Sequence, residues 1–250
     1  MRRVLALLRR ARIGTAVLAL AVALAAALAV LPARWLLRLA PSDLPLAIVD
    51  ASGTLWHGSA WIALGSPEAR RMLTEPVQWR WRGLSVELSH PWLRGPIILA
   101  PRWNGLSVSG QQALLPAAAL AGLGTPWNTV APGGQLELRW QAFSTTGPPP
   151  RGTLAEASWR GASSALSPLA PMGDYRLRVE GAGRGARILL STDKGVLRLD
   201  GQGEWTGRRL TFNGRARAAD DATDTQRAAL SGLLNAIGPL RDGGHAFGTG

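Results

Sequence analysis

Hydrophobic and polar positions divide the chain into two regimes. From Ile13 to Leu31 the run is apolar and uncharged, rich in leucine, alanine and valine. A helix of about 20 such residues spans the roughly 30 Å hydrocarbon core of a bilayer. A helix also bonds its own amides, which the membrane interior demands. The pattern therefore predicts a transmembrane helix over 13–31. Beyond residue 45 the period changes to two, the signature of strands with one buried and one wet face. Val77, Trp79 and Trp81 alternate with Gln78, Arg80 and Arg82, and Leu84, Val86 and Leu88 with Ser85, Glu87 and Ser89. Leu136, Leu138 and Trp140 alternate with Gln135, Glu137 and Arg139, and Tyr175, Leu177 and Val179 with Arg176, Arg178 and Glu180. Parallel strands buried on both faces read as continuous apolar runs, so this alternation predicts antiparallel sheet. The expected class is mainly β: a transmembrane helix followed by a large antiparallel domain, a curved sheet or sandwich, with a few short helices.

Turn and cap residues refine that outline. Asp193-Lys194-Gly195 falls between strands at Arg187–Thr192 and Val196–Asp200, and Thr206-Gly207-Arg208 parts two more. Ser66-Pro67-Glu68 has the cap and first-turn proline of a short helix. Pro116 to Leu123, closed by Gly124, predicts another. The clearest helix runs from Thr225 to Ile237, with Leu230, Leu233, Leu234 and Ile237 on one face and Gly238 as its stop. Asp220, Asp221 and Asp224 precede it and favour its positive end. Gly53-Thr54-Leu55 and Gly152-Thr153-Leu154 form a weak internal echo. The stiff Pro148-Pro149-Pro150 run is a natural joint between two halves meeting near 147–151, while chance similarity is the better explanation of the echo.

Charge orients the chain. Arg2, Arg3, Arg9, Arg10 and Arg12 precede the apolar run with no acid among them. Clustered basic residues stay cytoplasmic, so residues 1–12 are expected inside the cell and everything beyond the helix outside. Residues 32–45 form a juxtamembrane spacer, and 46–250 the exported β domain. A cleaved signal peptide is the rival reading, because Ala27-Leu28-Ala29 has the small-x-small form of a cleavage site. The apolar run exceeds the usual 7 to 15 residues, however, and Arg34, Trp35 and Arg38 suit an interfacial belt, which favours an uncleaved anchor. Both readings put the domain in the same compartment.

Composition narrows the function. The chain has no cysteine, which excludes a disulfide framework, thiol metal sites and cysteine nucleophiles. The formal charge is +12, and removing the five leading arginines leaves +7. Lys194 is the sole lysine, and the wealth of Ala, Gly, Pro and Arg points to a GC-rich genome before any selected binding surface. A basic balance still favours anionic headgroups or acidic partners. Nucleic acid is a poor candidate, since no recognition helix or aromatic RNA motif is present. His57, His90 and His245 are far apart and none has a metal-spaced companion. The acids at 220, 221 and 224 read as helix-start residues in preference to a cation site. Gly181-Ala182-Gly183-Arg184-Gly185 lacks the Lys-Ser/Thr of a phosphate loop and reads as a hairpin turn. Of the 11 tryptophans, those alternating with polar residues are expected in the core; others suit an interface. No catalytic, metal or cofactor site is expected.

Ala51-Ser52-Gly53-Thr54-Leu55-Trp56-His57-Gly58-Ser59-Ala60, soon after a single apolar span, resembles the type II secretion system protein N family. So do Leu199-Asp200-Gly201-Gln202-Gly203-Glu204-Trp205 and Leu210-Thr211-Phe212-Asn213-Gly214-Arg215-Ala216-Arg217-Ala218, followed by the leucine-rich helix. Ser167 to Leu177 is similar to the family's middle segment, so the resemblance covers nearly the whole chain. It implies a non-catalytic inner-membrane component of the machine that moves folded proteins from the periplasm across the outer membrane. Its implied partners are other type II secretion components, the inner-membrane platform or the outer-membrane secretin, along with the lipid bilayer. The implied motif residues, structural or docking, are Gly53, Thr54, Leu55, Trp56 and Gly58, with Gly201, Gly203, Trp205, Phe212 and Gly214 near the C-terminus. The family's exported part also looks like lipid-handling, AsmA-like envelope proteins, so lipid binding or conduction is the alternative. From the residues alone, Gly53 and Gly58 suit strand ends or bulges. Thr54 and Trp56 would then share one strand face, Trp56 being a core anchor whose indole N–H needs a partner.

Overall fold

A computed structural model describes residues 18–35, 37, 46–65, 70–124, 127–241 and 243–249. The basic segment, the start of the apolar run at 13–17, most of the spacer and the short helix expected at Ser66-Pro67-Glu68 lie outside these. Residues 18–29 are helical, and their side chains are exposed throughout. Among the described residues no helix is long and apolar enough to cross a membrane.

The rest is antiparallel sheet. In chain order the strands are β1 (Leu46–Gly53), β2 (His57–Leu64), β3 (Arg71–Met72), β4 (Val77–Arg82), β5 (Ser85–Ser89), β6 (Ile97–Arg102), β7 (Gly105–Val108), β8 (Gln111–Pro116) and β9 (Pro132–Trp140). Then come β10 (Phe143–Ser144), β11 (Gly152–Ser164), β12 (Gly173–Gly181), β13 (Ala186–Gly195), β14 (Leu197–Trp205), β15 (Leu210–Ala218), β16 (Leu240–Arg241) and β17 (Gly244–Thr249). One sheet of 8 strands runs β1-β2-β4-β5-β6-β7-β10, with β3 beside β2; the other, of 9, runs β16-β17-β15-β14-β13-β12-β11-β9-β8. The chain thus enters the second sheet at β8, returns to the first at β10, and leaves again through Pro148-Pro149-Pro150 to β11. The connection between β5 and β6 also reaches the second sheet, where Leu93 bridges Ala113 of β8.

Register explains the alternation. Leu138, Ala157, Leu177, Leu190 and Gly201 stand directly opposite one another across β9, β11, β12, β13 and β14, so they share one face. Leu136, Trp159 and Tyr175 line the same face one step along. The opposite face carries cross-strand ion pairs: Glu156 meets Arg178 at 3.3 Å, Arg176 meets Asp193 at 2.9 Å, and Lys194 meets Asp174 at 3.3 Å. A single apolar face demands a cover, and the C-terminal helix Asp224–Ile237 supplies one. Leu230, Leu233 and Leu234 pack onto Ala162, Met172, Tyr175, Leu197 and Ala216, with Ile237 beside them. The helix begins one residue earlier than its apolar pattern predicts. Thr223 caps it reciprocally: its hydroxyl accepts the Gln226 N–H at 3.3 Å, and the Gln226 side chain accepts the Thr223 N–H at 2.9 Å. Asp224 lies in its first turn, whereas Asp220 pairs with Arg217. Ala117–Leu123 is a short helix as the sequence predicts, though of the tighter 3-10 kind. The strand expected to stop at Thr192 runs on to Gly195, because Gly173 and Asp174 of β12 pair with Gly195 and Lys194.

Tyr175 is the polar exception in this core. Its hydroxyl donates to the Leu197 carbonyl at 3.1 Å. Burial, with the Asp174 charge adding to it, pushes the phenol well above its ordinary value near 10. A raised folded value means the stability it confers is complete below about pH 10 and is lost as pH climbs past it. Tyr175→Phe should cost about 1 kcal/mol at neutral pH. It should also flatten the alkaline fall in stability, as urea titrations over a pH series would show.

Candidate functional site

The first family motif lies in the turn between β1 and β2, where the apolar helix ends. Leu46 to Ser52 pair with Leu64 to Ser59 across a bulge at Val49, and Gly53 faces Gly58. Gly53 has φ +87°, a left-handed backbone that other residues resist. Thr54 closes the turn: its N–H donates to the His57 carbonyl at 2.9 Å, and its hydroxyl accepts the His57 N–H at 3.2 Å. Thr54, Leu55 and Trp56 are therefore turn residues, with no strand face to share. Trp56 is only half-buried. The alternation misled here because side-chain bonds to the backbone at 54 and 57 fold the strand back on itself.

This turn is bonded to the end of the apolar helix and to the residues just past it. The Trp56 indole N–H donates to the Leu28 carbonyl at 2.7 Å. The Leu55 N–H donates to the Leu31 carbonyl at 2.8 Å, and Pro32 bridges Thr54. Carbonyls at a helix end lack the full set of helical partners, so the Leu28 carbonyl, which also accepts the Leu31 N–H at 3.3 Å, has room for the indole, and the Leu31 carbonyl takes an amide from the turn. The Leu55 carbonyl in turn accepts the indoles of Trp79 at 2.9 Å and Trp81 at 3.0 Å. Trp56 and Trp81 meet edge to face with centroids 5.5 Å apart. Just past the helix, Ala33 is 1% exposed, packed on Ala60 and Trp79 with Ile48, Ala51, Val86 and Leu88 around it. Gly58 makes the fit possible: the Trp79 indole crosses its α-carbon, and a β-carbon there would lie 2.6 Å from the ring.

The second motif solves a different packing problem. Gly203 faces Phe212 and Gly201 faces Gly214 across β14 and β15, and Gly214 faces Phe247 on β17. A β-carbon at Gly201 or Gly203 would strike the Phe212 ring at 2.6 or 2.8 Å, and one at Gly214 would strike Phe247. The glycines thus form a flat bed for two phenyl rings, which lie 6.1 Å apart. Trp205 closes the end of this strand pair opposite Leu210 and is 41% exposed. The two motifs sit in different sheets and form no common pocket. An open groove of about 750 Å³ lies on the polar side of the second motif, lined in part by Gln202, Asn213, Arg215 and Arg241. Among the described residues no three His, Asp or Glu side chains gather as metal ligands would.

Sequence reasoning missed the bonds between Trp56 and the helix, which join residues 28 apart. A tryptophan just past a β-turn glycine, soon after an apolar run, was the available signal. Both motifs serve packing: the first holds a turn and seats the apolar helix, and the second beds two phenyl rings. The model of the type II secretion system (T2SS) protein N family matches residues 44–247, and the chain belongs to that family. It is thereby a type II secretion component, from a family that is generally non-catalytic and associates with other parts of that system. Searches of curated proteins and of solved structures returned no match.

Proposed function

We propose that this protein is a non-catalytic, single-pass component of the inner membrane that supports export of folded periplasmic proteins across the outer membrane. The apolar run over 13–31 anchors it with the basic N-terminus in the cytoplasm, and the β domain stands in the periplasm. The observation that carries this reading is the pairing of an apolar helix exposed on all its described residues with a sheet turn bonded to its end. Leu18, Leu20, Val22, Leu24 and Leu28 are each more than half exposed, a state costly in water and natural in lipid. Confinement to one surface raises the domain's effective concentration near other tethered components of the inner-membrane platform or the secretin.

A clean deletion should leave secreted proteins stranded in the periplasm, and the tagged protein should co-purify with the platform or the secretin. Undiminished secretion in the deletion would defeat the assignment. A phosphatase reporter fused beyond Pro45 should be active, and activity only for a cytosolic reporter would reverse the orientation.

One observation favours the lipid-handling alternative. Leu138, Leu177, Val179, Ile188 and Leu190 continue the apolar face of the second sheet and are only half-buried. Native mass spectrometry of the detergent-extracted protein should then carry phospholipid, and a lipid-free spectrum would remove this reading.

A further inference from the structure

The β1–β2 turn is one of three hairpin ends arranged along a single border of the first sheet. His57, the first residue of β2, pairs with Arg80 near the end of β4. Arg82 pairs with Ser85, so the β4–β5 tip, Gly83-Leu84, points the same way. Val86 pairs with Leu99 and Arg102 with Gly105, which puts the β6–β7 tip, Trp103-Asn104, on that border too. Strands about 4.8 Å apart place the first and third turns roughly 19 Å from each other.

These tips carry side chains unlike those of ordinary water-facing turns. Leu84 is 78% exposed and Trp103 fully exposed at 101%, and Trp81 beside the helix seat is 37% exposed. Arg80, Arg82 and Arg102 flank them and are exposed. Glu87, the carboxylate of β5, is occupied by Arg82 at 2.9 Å. Apolar tips framed by arginines match an anionic headgroup layer, where tryptophan and leucine reach the acyl boundary and guanidinium groups pair with phosphates. The apolar helix ends at this same border, bonded to Leu55 and Trp56.

We propose that this border of the first sheet lies against the bilayer, with Leu84 inserted among the headgroups beside the helix. The inference rests on the reading of the apolar helix as a membrane anchor. Sheet twist of about 20° per strand turns later tips progressively away, so Leu84 enters more deeply than Trp103. The domain then stands on its membrane at a set angle, in contrast to one dangling from a tether.

Because the chain has no cysteine, single probes are simple to place. Leu84→Cys, Ala25→Cys and Thr74→Cys would each be labelled with a polarity-sensitive fluorophore in the full-length protein, reconstituted in phosphatidylethanolamine–phosphatidylglycerol vesicles. Thr74 precedes β4, at the opposite border of the sheet and roughly 20 Å from Leu84. The expected result is blue-shifted emission at 84, quenched by a doxyl group near the headgroup. The probe at 25 should be quenched by a doxyl deep in the acyl chain, and that at 74 only by aqueous iodide. Lipid quenching at 25 with iodide quenching at 84 would overturn the inference and leave the anchor standing. A probe at 84 reached by neither quencher is covered by protein, which also overturns it. Iodide quenching at 25 would remove the anchor and the inference together.

Discussion

Leu230→Ala should lower the unfolding free energy by about 3 kcal/mol, within the range for emptying a buried leucine site. Leu230 is 0% exposed, at the centre of the contact between the C-terminal helix and the second sheet. Its neighbours Leu197, Leu233 and Tyr175 sit on a paired sheet and a capped helix, so they have little freedom to collapse into the void. Urea titration should show a lower midpoint at unchanged slope. Leu240→Ala, on a residue 68% exposed, should move the midpoint hardly at all.

Gly58→Val is the second large effect, and it acts by crowding. The new β-carbon would press on the Ser52 carbonyl and stand 2.6 Å from the Trp79 ring. Both are fixed: Ser52 by pairing with Ser59, Trp79 by its indole bond to Leu55. The expected cost is about 3 kcal/mol, the upper end for overpacking. Displacing Trp79 also opens the pocket that holds Ala33, so protease should cut the chain sooner between the apolar helix and β1. Limited proteolysis against urea titration separates that local release from global loss.

How far the sequence anticipated this structure depends on how local the determining physics is. The alternation at Leu136–Trp140 and Tyr175–Val179 reports one property of one strand, burial on one face, and the registered strands place those residues together. The leucines of the C-terminal helix are equally local, and its start was displaced by one residue because the Thr223–Gln226 reciprocal cap outranks the acids. Trp79 and Trp81 share a period and differ in burial, 7% against 37% exposed, because the second stands at a strand end. The Gly53–Gly58 motif was visible as a motif and opaque as a device. Its partners, the carbonyls of Leu28 and Leu31, belong to another element, and no spacing rule links them. The phenyl beds at Gly201, Gly203 and Gly214 were hidden for the same reason, since a glycine's role is set by the neighbour that crosses it.

The order in which the chain visits its two sheets bears on how it folds as it emerges across the membrane. Strands β8 and β9 emerge well before β11, the partner that covers the free side of β9. In that interval Leu136 and Trp140 have no neighbour beyond β8, and a greasy open edge faces the medium. Translocation paced by synthesis at about 5–20 residues per second leaves this edge bare on the far side of the membrane for a second or more, the exposure that holdase chaperones recognise. Severing the gene at the triple proline would make it permanent: the amino-terminal piece would keep two strands belonging to a sheet it lacks. Such fragments should precipitate apart and recover solubility when translated together.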